Sequence, residues 1–258
     1  MMPIVPPLFS TSASRAPRVV LWVCASALLA ACGPPPAPQT ISDPLESQNR
    51  ANHKINVAID RYALKPVATA YGDAVPGPGR EVVSNIGDNV ELPSDIVDGL
   101  LQGNVEGALK NTLRFGINTA LGIGGIFDPA TAMGVLGDPT DFGETLHVWG
   151  VKEGNYVELP VIGPTTERDL MGRAVDVFLN PLRFILPTAE ANWATGFQIA
   201  ANLEKRSRYS DSIDSVIYDS ADSYAQTRLL YIQNRRFELG QAVENDNFED
   251  PYEDPYGN

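Results

Sequence analysis

The sequence predicts an all-α protein, a single domain of many short helices. Apolar residues recur mostly at i, i+3 and i+4, helix start and stop signals follow one another closely, and no stretch reads as a substantial sheet.

The N-terminus is a separate element. Arg15 and Arg18 precede Val19 to Ala31, thirteen almost entirely apolar residues. A spanning helix needs about 20 such residues to cross roughly 30 Å of hydrocarbon, and Gly33-Pro34-Pro35-Pro36-Ala37-Pro38 cannot extend a helix. Residues 1–31 therefore read as a signal peptide. Leu29-Ala30-Ala31-Cys32 fits the bacterial lipobox, where signal peptidase II cuts before a lipidated cysteine. The alternative is ordinary Ala-x-Ala cleavage, which leaves Cys32 as a free thiol. Acyl chains contribute ~0.8 kcal/mol per buried methylene, and two or more make a stable anchor. Gly33, where Asp would signal otherwise, points to the outer membrane by the bacterial sorting convention. Residues 32–41 then form a Pro-rich tether.

The whole chain carries −13; without the two arginines of residues 1–31 the remainder carries −15 over 227 residues. That acidity excludes nucleic acid as a partner, because phosphate binding needs concentrated Lys and Arg. Glu244, Asp246, Glu249, Asp250, Glu253 and Asp254 place six acids and no base in the last fifteen residues, so 241–258 reads as a disordered acidic tail. Cys24 leaves with the signal peptide, so neither a disulfide framework nor a cysteine metal site remains. The body, 42–240, is long enough to bury one core.

Within that body, Asp43-Pro44-Leu45-Glu46 combines a capping acid, an early proline and a first-turn Glu, so a helix starts there and runs to about Leu64, where Pro66 kinks or ends it. Val82, Val83, Ile86 and Val90 make a second stripe closed by Pro93; Ile96, Val97, Leu100 and Leu101 make a third. Val105 to Ala120 keeps the helical period for four turns, with small residues at Gly116 and Ala120 suggesting close helix contact, until Gly122, Gly124 and Gly125 stop it. Asp141-Phe142-Gly143-Glu144 caps a brief helix through Trp149. Gly154 to Pro160 is at most a short extended piece. Thr166 caps a helix to about Leu179, an apolar loop lies between Pro181 and Pro187, and a long periodic segment runs from about Ser210 to Glu238.

Catalytic signatures are sparse. His53 and His147 lie too far apart in sequence to form a recognisable metal pair, and no cysteine survives as a ligand. There is no G-x-S-x-G elbow and no phosphate-cradling P-loop, and Gly122-Ile123-Gly124-Gly125 follows a helix where a nucleotide fingerprint follows a strand. With 32 acids in one chain, a catalytic carboxylate pair cannot be chosen without geometry. The residues point to no enzyme, no cofactor and no metal.

Across residues 42–240 the body resembles the VacJ/MlaA family of outer-membrane lipoproteins. The resemblance is carried by Ser42-Asp43-Pro44-Leu45-Glu46 with Asn49-Arg50, Lys65-Pro66-Val67-Ala68, Val75-Pro76-x-Pro78-x-Arg80, Ser84-Asn85, Leu101-Gln102-Gly103, Arg114-Phe115 with Asn118-Thr119, Gly122-x-Gly124-Gly125 with Asp128, Asp141-Phe142-Gly143-x-Thr145-Leu146, and Arg168-Asp169-x-x-Gly172. One departure is Gln48, where the family usually has an aromatic. The resemblance implies a helical ring in the inner leaflet around an amphipathic channel, commonly with trimeric porins. It also implies removal of misplaced phospholipid from the outer leaflet and its passage to a periplasmic carrier and an inner-membrane transporter. A shielded route is needed, because taking two sixteen-carbon chains through water costs on the order of 25 kcal/mol. Other classes stay open: a lipoprotein that scaffolds a porin or other envelope partner, or an envelope hydrolase.

Arg114 and Asn118, one turn apart, share a helix side. Arg114 could meet a lipid phosphate or pair with Asp128 or Asp169. Phe142, Leu146 and Trp149 could gate lipid or pack in a core, and Phe184 could dip into the leaflet or line a buried loop. Gly122, Gly124 and Gly125 are candidate hinge positions.

Overall fold

The structure, a computed structural model, describes residues 40–241. The expected signal peptide, the lipidation at Cys32, the tether up to residue 39 and the acidic tail from residue 242 lie outside the described residues.

The first helix, α1, spans Glu46–Ile59. Asp43 does not cap it; that carboxylate accepts from Asn49 Nδ2, Tyr224 Oη and Arg228 instead. The helical path does not end near Leu64 either. A π-helical turn over Asp60–Leu64 leads straight into α2, Lys65–Ala74. Pro66 can donate no N–H and its ring crowds the carbonyl one turn back, so the wider turn ahead of it keeps the chain helical.

The expected break at Pro93 is likewise absent, since α3 runs unbroken from Gly77 to Gln102 with Pro93 buried inside it. Packing on its flanks outweighs the lost hydrogen bond: α4, Val105–Ala120, and α9, Thr188–Arg208, both lie along it. Asn104 caps α4 by accepting from Gly107 N at 2.9 Å. The close contact expected at Gly116 occurs further up the helix, where Gly99 of α3 approaches Ala108 of α4, while Gly116 faces open space.

Asp128 caps the short α5, Pro129–Ala132. Asp141 caps α6, Phe142–Val148, accepting from Glu144 N at 2.8 Å. An antiparallel hairpin pairs β1, Tyr156–Leu159, with β2, Gly163–Thr166. Thr166 then caps α7, Glu167–Leu179. α8, Leu182–Ile185, sits between Pro181 and Pro187. α9 was not legible as a helix, because its buried face is Ala201 and Glu204 and carries almost no apolar stripe. The expected segment from Ser210 to Glu238 is two helices, α10, Ser210–Ile217, and α11, Ser223–Glu238, separated where Asp222 caps the second by accepting from Ala225 N.

α1 is zipped to the hairpin by side-chain amides on one face. Asn49 donates to Tyr156 O and accepts from Glu158 N, Asn52 donates to Glu158 O at 2.7 Å, and Asn56 donates to Leu159 O. The same pattern holds elsewhere: the largest fully buried side chains include Arg168, Glu158, Glu204, Asn49, Asn111 and Asp98, and Tyr156, Tyr224 and Ile232 form only a small apolar cluster. Outside, the reverse holds. On α4 Leu109 and Leu113 are 59% and 57% exposed while Asn111 and Asn118 are buried, and Phe184 and Trp193 on α8 and α9 are 76% and 72% exposed. Polarity is inverted relative to a water-soluble domain, in which large apolar patches are rare. Among the described residues no helix is long and apolar enough to cross a membrane.

Candidate functional site: an acid-lined cavity between helices

Glu91, Asp95 and Asp98 stand at i, i+4 and i+7 of α3, so the unbroken helix turns all three to one side. They line a cavity of about 390 Å³. α6 closes it with Thr140 and Asp141 ahead of its first turn, α7 with Asp176 and Val177, the α7–α9 connection with Asn180 and Arg183, and α9 with Gln198. Asn180 Nδ2 donates to Val90 O at 3.2 Å and ties that connection to α3, and Arg183 Nη1 donates to Val177 O at 2.8 Å. Asp141 and Asp176 are shared with a second cavity of about 290 Å³, whose other walls are Asp169, Arg173, Tyr231, Asn234, Arg235 and Glu238.

The floor between the cavities is rigidly bonded. Phe142 N donates to Asp176 Oδ1 at 3.1 Å, Arg235 Nη2 donates to Asp141 Oδ1 at 2.7 Å and to Asp169 Oδ1, and Tyr231 Oη donates to Asp169 Oδ2 at 2.7 Å. Behind Asp169, fully buried Arg168 pairs with it at 3.1 Å. On the α3 side Gln102 Nε2 donates to Thr140 Oγ1 and Thr145 Oγ1, and Thr145 Oγ1 donates to Asp98 Oδ1 at 3.3 Å.

Electrostatics divide the site. Burial opposes charge on Asp169, but Arg235 and Arg168 hold its carboxyl below the ordinary range. Asp95, by contrast, is pushed up to about 8 by burial and by Glu91 and Asp98; Asp98 to about 7 by burial and Asp176; and Asp176 to about 6, chiefly by burial. A carboxyl whose folded pKa lies above its unfolded value, about 4 for Asp, contributes stability that is complete below the unfolded value and is lost as pH climbs from there through the folded value. Thermal unfolding temperature should therefore fall as pH rises from about 4 through about 8. Asp95→Asn should flatten the upper part of that decline in a melt series. Among the described residues no group of three or more His, Cys, Asp and Glu is arranged to hold a metal ion.

None of Arg114, Asn118, Phe142, Leu146 and Phe184 lines either cavity. Arg114 pairs with Asp128 at 2.9 Å and donates to Thr131 Oγ1 and Val135 O, while Asn118 donates to Asp128 Oδ1 and accepts from Ala130 N. Together they hold the loop after α4. Phe142 and Trp149 stack edge to face at 5.6 Å, half-buried Leu146 lies on the same short helix, and Phe184 points outward. Gly122, Gly124 and Gly125 form a tight turn: Gly124 N and Gly125 N donate to Thr119 O and Asn118 O, and a Cβ on Gly125 would sit 2.7 Å from that of Asn89. The acids of α3 and α7 are the functional candidates that sequence reasoning missed.

A helical protein with apolar residues outside and a charged cavity within is the class defined by this architecture. Residues 41–238 match the model of the MlaA lipoprotein family. Similar proteins include the intermembrane phospholipid transport system lipoprotein MlaA of Escherichia coli (strain K12), 36% identical over 76% of this chain and 78% of that one. Its counterpart of the same description in Haemophilus influenzae is 32% identical over 79% and 82%. An uncharacterised protein of Rickettsia bellii is also 32% identical, over 76% of each chain. A solved structure described as the structural basis for maintenance of bacterial outer membrane lipid asymmetry superposes with a TM-score of 0.64 at 33% identity, covering 77% of this chain and 99% of the other. The chain belongs to the MlaA lipoprotein family.

Proposed function

We propose that this protein is an outer-membrane lipoprotein that removes mislocalised phospholipid from the outer leaflet and delivers it towards a periplasmic lipid carrier, so maintaining lipid asymmetry. The inverted polarity supports this reading most strongly. Exposed Leu109, Leu113, Phe184 and Trp193 suit contact with acyl chains, while the cavity bounded by α3, α6, α7 and α9 offers head groups a polar path. Backbone polar groups stay satisfied within helices, so a body without a spanning helix can still sit in the leaflet as a ring of short helices around that path. Cys32 supplies the acyl anchor on the periplasmic face, and a trimeric porin is the partner that would hold the ring in register with the outer leaflet. Transport of intact lipid needs shielding, not bond cleavage, so the chain acts without covalent chemistry.

Two measurements test this. In vesicles carrying the purified protein, labelled phospholipid should move to acceptor vesicles, and Gln198→Trp, which fills the cavity from α9, should slow transfer severalfold while leaving the fold intact; unchanged transfer removes the cavity from the route. For membrane seating, Phe184→Glu combined with Trp193→Glu in a Cys32→Ala background should weaken vesicle co-sedimentation by at least about tenfold. Each large apolar side chain contributes roughly 1.5–3 kcal/mol when buried in hydrocarbon.

A further inference from the structure

We infer that the cavity lined by Glu91, Asp95, Asp98 and Asp176 binds a primary ammonium group, the terminal group of an aminophospholipid head or of a soluble amine; the lipid source rests on the transport reading above.

The argument starts from Asp98. It is 0% exposed, and while Thr145 donates to its Oδ1, its Oδ2 has no hydrogen-bond partner. A fully buried carboxyl oxygen left unmatched costs free energy whether the group is charged or protonated, and such atoms are uncommon in folded proteins. Asp98 lines the cavity, so a ligand there can supply the missing contact. Its neighbours fix the sign of that ligand. Four carboxyls line the cavity within two turns of α3 and one of α7, and Asp141 is already engaged by Arg235 at 2.7 Å. The one cation on the wall, Arg183, is exposed and donates to Val177 O. An anionic group would add to the repulsion that already opposes ionisation of these acids, whereas a cation with several N–H donors favours their ionised form and meets acceptors it can satisfy together.

The kind of cation follows from the donor arrangement and the space. The acids are not grouped to hold a metal ion. A volume of about 390 Å³ lies within the range of small-ligand sites and accommodates an organic ammonium. Three N–H donors distinguish a primary ammonium from a trimethylated one, which can offer Asp98 Oδ2 no hydrogen bond. Exposed Arg183 on the same wall is a cation that the phosphate of a zwitterionic head group can pair with.

The test uses the purified full chain and calorimetric titration with dihexanoylphosphatidylethanolamine, the matching phosphatidylglycerol and phosphatidylcholine, and free ethanolamine. Phosphatidylethanolamine should bind about tenfold or more tighter than phosphatidylglycerol, the loss expected for one charge-assisted hydrogen bond, with phosphatidylcholine also weaker. Asp98→Asn should erase the preference. Because that site is buried, half-buried Asp95→Asn provides a second variant, which should reduce the preference while the protein still unfolds in one cooperative transition. Equal binding of phosphatidylethanolamine and phosphatidylglycerol, or a preference that survives in both variants, overturns the ammonium site. Ethanolamine binding as tightly as the lipid keeps the site and assigns it to a soluble amine. Transfer of every lipid irrespective of head group defeats this inference while leaving transport intact; binding of ethanolamine with no lipid bound defeats the transport reading and leaves the site.

Discussion

Arg236→Met should destabilise the fold by about 3–5 kcal/mol, the range expected when a buried charge loses its only partner. Arg236 on α11 grips Glu153 through two bonds of 2.9 Å, and both side chains are buried. Without the guanidinium, the Glu153 carboxylate faces a low-dielectric interior with no other side-chain donor among the described residues. Removing both charges should restore much of the loss, because the double variant Glu153→Met/Arg236→Met leaves no orphaned ion. The contrast is Arg50, which pairs with Glu46 and Asp222 at the surface; Arg50→Ala should cost far less, because exposed ion pairs are screened by solvent. Chemical denaturation of the four proteins distinguishes the cases. A similar loss for Arg236→Met and Arg50→Ala would mean that the interior is far wetter than its burial indicates.

Gly172→Ala should be the most damaging single-methyl change near the site. A Cβ at position 172 would stand 2.3 Å from Gly143 N and 2.5 Å from Gly143 Cα, so α6 and α7 could not keep their present approach. Overpacking usually costs about 1–3 kcal/mol, and here the obstacle is backbone, which has no rotamer to yield. The same displacement would pull Phe142 N from Asp176 Oδ1 and disturb the wall shared by the two cavities. Lipid transfer should therefore fall by more than the loss of folded protein explains. Gly196→Ala on α9, whose Cβ would meet nothing within 4 Å, should be neutral or mildly stabilising in both assays. If Gly172→Ala behaved like Gly196→Ala, the α6–α7 approach would have no part in shaping the site.

The helical class, the caps at Asp141 and Thr166 and the start of α4 were all legible, because capping side chains and i, i+3, i+4 spacing act locally. The candidate cavity was not, and the reason can be traced to Pro93. Read as a helix terminator, it separates Glu91 from Asp95 and Asp98; inside a continuous α3 the three acids become one stripe along the cavity wall. Tertiary packing by α4 and α9 decides that continuity, and no local signal carries it. α9 itself stayed hidden because alanine and Glu204 replace the apolar stripe that marks most helices, although its Ala, Glu, Lys and Arg content favours a helix.

The stripe that was visible on α4 also pointed the other way from the usual expectation. Leucines at 109 and 113 face outward and asparagines at 111 and 118 face inward, so periodicity located the helix but not which side is the interior. Only the solvent decides that, and the outward leucines are what a hydrocarbon surround accommodates. Arg114 was placed correctly on a helix with Asn118, and of the roles left open for it the geometry supplies an ion pair with Asp128.

The measurement closest to the proposed role is the amount of phospholipid in the outer leaflet of cells lacking this protein, read by surface labelling or by outer-membrane acylation of lipid A, with wild type or Cys32→Ala restored. Retrograde lipid transport predicts that surface phospholipid rises without the protein and returns to normal only when the lipidated form is supplied. A cell surface unchanged by loss of the protein would contradict it.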